Sequence, residues 1–533
     1  MTAMDIAVIT CYFAAVFVMA WRVTKRSSGE QSTSAGYFLA GRNIGWFVVG
    51  ASLFASNIGS EHLIGLAGTG YSSGVAVGQF EILASIILLL LGWVFVPFYL
   101  KSGVYTMPEF LERRYSKGAR TYLAWVSILS YVLTKISVTI AAAGIVFEAI
   151  GIGFWTGAVV VVIATGIYTI FGGLRAVLYT DLLQMFVLIA GSLTVTLIGL
   201  SHIGGWTEMT SAVDSGFMSL WKPMSDPDFP WTGIVFGAPI LGVWYWCTDQ
   251  YIVQRVLSAK NEDHARRGAL FGGFLKTLPL FIFVIPGVIA YVMTQNGSLH
   301  LAESDHALPA LISALLPSGL RGLVIASLLA ALMSSLSSVF NSCSTLITLD
   351  IYKRWKPQTS ERHLVIVGRI ATALLVLFGL AWIPMMQRLG QIYVYLQSVQ
   401  AYISPPIAAV FLLGIFFKRL NSHGAMASLL SGFVLGMSRL ILEVSQEHLS
   451  GILYKYATIN FLHFAALLFV VCSSILILVS LGSPRPSREK LADLTYGTMT
   501  GESQSEPRWR RQDIILSALL VCAICAVWLY FTG

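Results

Sequence analysis

The sequence predicts an all-α polytopic membrane protein with fourteen transmembrane helices, ten of them arranged as a five-plus-five inverted repeat with peripheral helices around it. Three observations carry that prediction. Of 533 residues, 56% are hydrophobic and only 11% charged, and the mean hydropathy is +0.74; an average soluble domain is ~25% charged. Runs of roughly 20 apolar residues, the length that crosses a bilayer as a helix, recur along the chain. Two of these runs, five apart, are interrupted by small and polar residues. Lipid offers the backbone no hydrogen-bond partner, so an interruption survives only where it faces protein or a cavity. Broken helices in corresponding positions of two halves point to a solute site near the bilayer midplane.

The spans fall at about 5–22, 44–69, 75–100, 120–147, 153–172, 176–201, 232–252, 267–294, 308–350, 364–384, 388–416, 422–443, 452–482 and 512–532. The first leads straight into basic residues without a small-residue cleavage site, and reads as a retained helix rather than a signal peptide. The second carries Ala55-Ser56-Asn57-Ile58-Gly59-Ser60-Glu61-His62 in its middle. Its counterpart, the seventh, holds Gly237, Pro239 and Gly242 ahead of Trp244-Tyr245-Trp246-Cys247-Thr248-Asp249-Gln250. The ninth is too long for one crossing and reads as a short outer helix, 308–316, before the span proper. In the eleventh, Ser404-Pro405-Pro406 should bend or break the helix. The chain then divides into a first helix and loop (1–43), an inverted-repeat core (44–420), two peripheral helices (421–482), a Ser-, Pro- and Arg-rich linker (483–511) and a last helix (512–533). Within the core, 44–201 is the first repeat, 202–231 an outer loop that forms a small cap, and 232–420 the second repeat.

The net charge of +8 suggests nucleic acid only until the basic residues are placed. Most of the 34 Lys and Arg, among them Arg42, Lys101, Arg113, Arg114, Lys117, Arg120, Arg255, Arg266, Arg267, Lys353, Lys418 and Arg510, fall in alternate connections. The other connections carry acids such as Glu208, Asp226, Asp228, Glu303 and Asp305. The positive-inside rule then puts both termini outside a plasma membrane. Small outer loops without cysteines favour a bacterial inner membrane, although Asn296-Gly297-Ser298 is a glycosylation sequon. All six cysteines lie in spans and read as buried thiols; Cys522 and Cys525 have CxxC spacing but no further ligands. No nucleophile motif or metal-ligand set suggests an enzyme or an organic cofactor.

Glu61, Glu81, Lys135, Glu148, Asp181, Asp249 and Lys276 sit within or at the ends of apolar spans. Opposite charges that merely hold helices together account best for Lys135, Glu148 and Asp249. Glu81 and Lys276 each need a partner or a hydroxylated ligand, because an unpaired buried charge is too costly. Tyr245 and Trp246 on the broken seventh span are ordinary packing on their own. Neighbouring helices or a polyol could equally satisfy the Gln397 amide, but beside Asn57, His62, Glu81, Lys276 and Gln397 the two aromatics look like a sugar site, a ring platform among hydroxyl partners. The near balance of Glu81 and Lys276 argues for a neutral solute. Ala331, Ser334, Ser335 and Ser338 share one stripe of the ninth span, a pattern that also packs helices closely. Opposite the break at Asn57, with carbonyls freed at Ala55 and Ile58, the stripe gives a hard cation such as sodium an oxygen cage.

At these residues the chain resembles the sodium/glucose cotransporters of the sodium:solute symporter family. The resemblance is carried by Asn57 to His62, by Trp244 to Arg255, by Ser318-Gly319-Leu320-Arg321-Gly322, by Met333 to Ser342, and by Gln397-Ser398 to Pro405 through Phe411. It implies a LeuT-like fold with alternating access and sodium as coupling ion. Sugar contacts would be Asn57, His62, Glu81, Trp246, Lys276 and Gln397, with Tyr245 closing the site from the cytoplasmic side and Leu66, Phe80 and Tyr393 as the outer lid. Sodium ligands would be Ala55, Ile58, Ala331, Ser334 and Ser335. Asp181 with Ser337 and Ser338 matches a second ion site found in some members, Ser337 standing where threonine is usual. Gly242 stands where several members carry a polar side chain that contacts sugar.

Overall fold

The computed structural model describes residues 2–26, 34–149, 151–301, 303–386, 392–498 and 506–532. Among these the chain is nearly all helix, and its β pairings are two isolated bridges, Ile44 with Ala259 and Lys222 with Pro230. The main helices are α1 (Ala3–Arg26), α2 (Trp46–Asn57), α3 (Ser60–Ser73), α4 (Gln79–Leu90), α5 (Lys117–Tyr131), α6 (Ser137–Ala149), α7 (Phe154–His202) and α8 (Gln250–Leu257). They continue with α9 (Glu262–Leu275), α10 (Ile285–Gln295), α11 (Leu320–Thr345), α12 (Glu361–Met386), α13 (Ile392–Phe416), α14 (Ser422–Val444), α15 (Phe461–Leu481) and α16 (Pro507–Tyr530). Eleven helical segments among the described residues are long and apolar enough to cross a membrane. The predicted second span is cut in two, the fifth counts only as the shorter apolar stretch Phe154–Ile167 of α7, and the seventh is built of short pieces, so these three fall outside the eleven.

The break in the second span has a local cause. Ile58 and Gly59 are extended (ψ 93° and −169°), and the Gly59 amide, which would close the next turn on the Ala55 carbonyl, donates instead to His62 Nδ1 at 3.4 Å. In the seventh span the chain leaves helical geometry at Asp249, after a π turn at Val243–Thr248; the Asp249 carboxylate then caps α8 by accepting from Tyr251 N at 3.1 Å. Asp249 is thus a helix cap. A third interruption lies in the eighth span, which the sequence presented as continuous. Pro279 has no amide for the Leu275 carbonyl, which takes Leu278 N at 3.1 Å instead, and α9 stops one residue short of Lys276.

Pro405 and Pro406 do not break the eleventh span; both lie inside α13. A Cβ on Gly436 of α14 would sit 2.0 Å from the Tyr402 carbonyl, so that bare backbone closes on the oxygen that Pro406 leaves without an amide. α11 is buried along nearly its whole length and packs against α7, as expected of a core helix. Its first amides are capped by another helix: Asp5 of α1 accepts from Gly319 N at 2.8 Å and Gly322 N at 3.1 Å, and pairs with Arg321 at 3.0 Å.

The basic connections gather at one end of the molecule. Arg120 pairs with Asp350 (2.6 Å) and Glu112 (2.7 Å), Lys101 with Asp493 (2.9 Å), and Lys490 donates to the Glu112 carbonyl at 2.7 Å. The linker is therefore docked where it is described, and α16 starts at Pro507, five residues before the predicted span. Three arginines read as loop charges are buried: Arg114, Arg255 and Arg266. Arg114 donates to the carbonyls of Gly414, Phe417 and Leu420 at the end of α13. The cysteines also depart from expectation. All six are free, but Cys11, Cys522 and Cys525 are exposed on the outside of the bundle.

Candidate functional site

The break between α2 and α3, the π turn before α8 and the turn after α9 meet around one cavity. The cavity itself is about 60 Å³, below the ~300–1,000 Å³ usual for small-molecule sites, so its walls must part to admit a solute. Asn57, His62, Phe80, Glu81, Tyr245, Trp246, Lys276, Tyr393 and Gln397 all line it, bringing together every polyol-site residue proposed from the sequence.

One carboxylate organises the wall. Glu81 is paired with Lys276 through Oε2, and its Oε1 lies 3.3 Å from His62 Nε2. The ammonium of Lys276 also donates to Asn57 Oδ1, and Asn57 Nδ2 donates to Tyr245 Oη at 3.1 Å. Polar groups from the broken helix, α4, the π turn and the turn after α9 thus form one chain, in which each buried charge has a partner. The two indole and phenol faces carry cations: Lys276 lies 5.5 Å from the Trp246 ring and Lys135 lies 5.2 Å from that of Tyr245. Trp246 stands edge-on to Tyr245 with centroids 5.2 Å apart. On the other side Tyr393 meets His62 and Phe80 at 6.4 and 6.2 Å between centroids, and its hydroxyl accepts from Gln397 Nε2 at 2.8 Å.

Some assignments shift. Leu66, expected in the outer lid, is fully buried and does not line the cavity. Lys135, taken as a helix-holding charge, does line it, as do Gly242 and Gln400. Lys135 sits in a π turn between α5 and α6, a distortion that turns a side chain inward and leaves no periodic trace in sequence. Glu61 lies outside the described side chains. Glu148, at the end of α6, is exposed.

A second polar centre lies on the other flank of the break, where α2 meets α11 and α7. Ser335 Oγ donates to the Ser56 carbonyl at 3.2 Å, which brings the stripe of Ala331, Ser334 and Ser335 against the residues Ala55 to Ile58. Asp181 of α7 accepts from Ser334 at 2.6 Å, Ser52 at 2.5 Å and Ser56 at 3.0 Å. Ser338 donates to Ser56 Oγ at 2.9 Å, whereas Ser337 turns back to the Ser334 carbonyl at 3.0 Å and does not reach Asp181. Arg255 Nε donates to Ser56 Oγ at 2.9 Å, and Tyr251 Oη donates to the Ser56 carbonyl. Hydroxyls and carbonyls at this density suit a hard cation. Ser52, Ser56, Tyr251 and Arg255 were missed in the sequence. The i, i+4 spacing of Ser52 and Ser56 was the available signal, for it puts both on one face of α2.

The chain is similar to known proteins over most of its length. The model of the sodium:solute symporter family matches residues 37–432. The sodium/myo-inositol cotransporter of Mus musculus is 41% identical over 93% of this chain and 75% of its own. The sodium/glucose cotransporter 1 of Oryctolagus cuniculus is 41% identical over 90% of this chain and 79% of its own. Among solved structures, a Na+-coupled sialic acid symporter in a substrate-bound outward-open state superposes with a TM-score of 0.76 at 23% identity, covering 91% of this chain and 99% of that one. That likeness gives the fold, a LeuT-like helical bundle.

Proposed function

The chain belongs to the sodium:solute symporter family, and from that premise we propose that its sodium-coupled transport carries a neutral hexose, glucose or galactose, through the cavity at the α2–α3 break. The observation that carries the reading is the Glu81–Lys276 pair at the cavity wall. It supplies strong donors and acceptors for hydroxyls while its own two charges cancel. Trp246 and Tyr245 supply the flat faces against which a pyranose ring lies.

Sodium is held by the carbonyls of Ala55, Ile58 and Ala331 with the hydroxyls of Ser334 and Ser335. Its charge draws α2 against α11 and so completes the neighbouring cavity, where Asn57 and its partners bind sugar. Phe80 and Tyr393 then close over the solute and the bundle rocks. Loss of sodium on the basic side loosens the Tyr245 barrier. This orientation places the basic end in the cytoplasm of a cell whose plasma membrane the chain spans, with both termini outside.

Myo-inositol is the second solute the observations favour. A relative named for it is as similar to this chain as one named for glucose, and Gly242 removes a polar contact from the cavity wall. Purified protein in liposomes should accumulate labelled glucose only under an inward sodium gradient, with galactose and myo-inositol as graded competitors. Uptake indifferent to sodium removes the coupling. A sugar bound without flux would make the chain a sensor.

A further inference from the structure

Asp513, in the second turn of the last helix, is fully buried and no part of the cavity. Its Oδ2 accepts from Arg266 Nε at 3.0 Å and its Oδ1 from Arg267 Nε at 2.8 Å. Arg266 is itself buried and pairs with Glu262 (3.1 Å) and Asp263 (2.5 Å) in the first turn of α9. Arg267 lies 3.8 Å over the Trp509 ring and donates to Gln512 Oε1 at 2.9 Å. One carboxylate shared between two guanidinium groups fixes both the height and the rotation of α16 on α9.

From there α16 follows the seam between α9 and α4. The Leu520 side chain occupies the space a Cβ on Gly273 would need, 2.8 Å away. Trp93 Nε1 donates to Ser517 Oγ at 3.0 Å, and Trp528 Nε1 donates to Gln79 Oε1 at 2.8 Å. Ser85 of α4 donates to the Gly273 carbonyl at 2.8 Å, joining the same two helices. Gln79 is two residues from Glu81, and Gly273 three from Lys276. The last helix therefore grips, from outside, the two elements whose charges meet at the cavity wall.

We propose that α16 is a positioning element of the polyol site, in which Asp513 and Trp528 hold α4 and α9 in the register that brings Glu81 and Lys276 together. The inference rests on the sugar reading of the cavity. A wall built from two helices binds tightly only if their relative height is held to a fraction of an ångström, and α16 adds its own contacts to the Ser85–Gly273 hydrogen bond between them.

The test is sugar uptake by the full-length chain in liposomes, with labelled glucose and labelled myo-inositol as probes and rates expressed per reconstituted molecule. Asp513→Asn should raise the KM for sugar roughly tenfold, the equivalent of ~1.4 kcal/mol, with the maximal rate within about twofold of wild type. Asp513→Glu, which keeps both ion pairs, should bring KM back to within about threefold. An unchanged KM, or a lower maximal rate at unchanged KM, overturns the inference and leaves α16 a structural helix. If Asp513→Asn does not reach the membrane, Trp528→Phe decides: it keeps an aromatic side chain beside Trp221, loses the N–H donor to Gln79, and should raise KM about threefold. An unaltered KM there overturns the inference equally. Wild-type protein that carries neither solute overturns the sugar reading itself, and this inference with it.

Discussion

Lys276 and Glu81 show what single residues contribute. Both are buried, and each is tolerable only because the other is there. Removing one partner of such a pair costs about 3–5 kcal/mol, because the remaining charge is stranded in a poor solvent. Lys276→Met should therefore lower the thermal unfolding midpoint of the purified protein and abolish high-affinity sugar uptake. Glu81→Gln combined with Lys276→Met should recover most of the midpoint while uptake affinity stays low; a double variant no more stable than the single one would refute the charge argument. These two residues were legible in the sequence because an ionisable group in an apolar run is conspicuous. Arg255 was not, since a cation near a span end looks like a loop residue. Burial behind Tyr251, with Nε on Ser56, depends on a break that only the folded chain displays. Lys135 was misjudged for a related reason: a π turn changes which way a side chain points without changing composition.

At the level of elements, the two predicted interruptions were readable as a run of small and polar residues in one case and as glycines, a proline and an acid in the other. Each break has a cause that composition announces. The interruption at Lys276–Leu278 was hidden because one proline in a long apolar run is common in membrane helices. Pro405 and Pro406 misled in the other direction. Whether a proline breaks a helix depends on who approaches the orphaned carbonyl, and here the approach is made by a different helix at Gly436. Gly436→Val should consequently push α14 off α13 and destabilise the protein by about 1–3 kcal/mol, an overpacking cost. A falling unfolding midpoint in detergent checks it, and an unchanged one would show that the contact is looser than the backbone geometry indicates.

For the whole molecule the decisive quantity is how many ions move with each solute. One charge crossing 100 mV is worth ~2.3 kcal/mol, and a tenfold gradient adds ~1.4, so one sodium can concentrate a neutral solute roughly 500-fold, while two would square that limit. Asp181 already holds three hydroxyls, and Arg255 reaches it through Ser56. A fixed guanidinium offsets the carboxylate, so a second mobile cation has little left to neutralise. Steady-state accumulation in liposomes under that voltage and gradient should plateau near the one-ion value, and a plateau orders of magnitude higher would require the second ion. The general architecture was evident in composition and span length; the ion count was not, because it turns on which hydroxyls face which carboxylate. One further consequence follows from the carboxylate that Asp5 places on Gly319 and Gly322. A shortened version missing residues 1–43 would strip the serine-bearing rod of that carboxylate at its tip, and should lose its grip on sodium although every proposed ligand is still encoded.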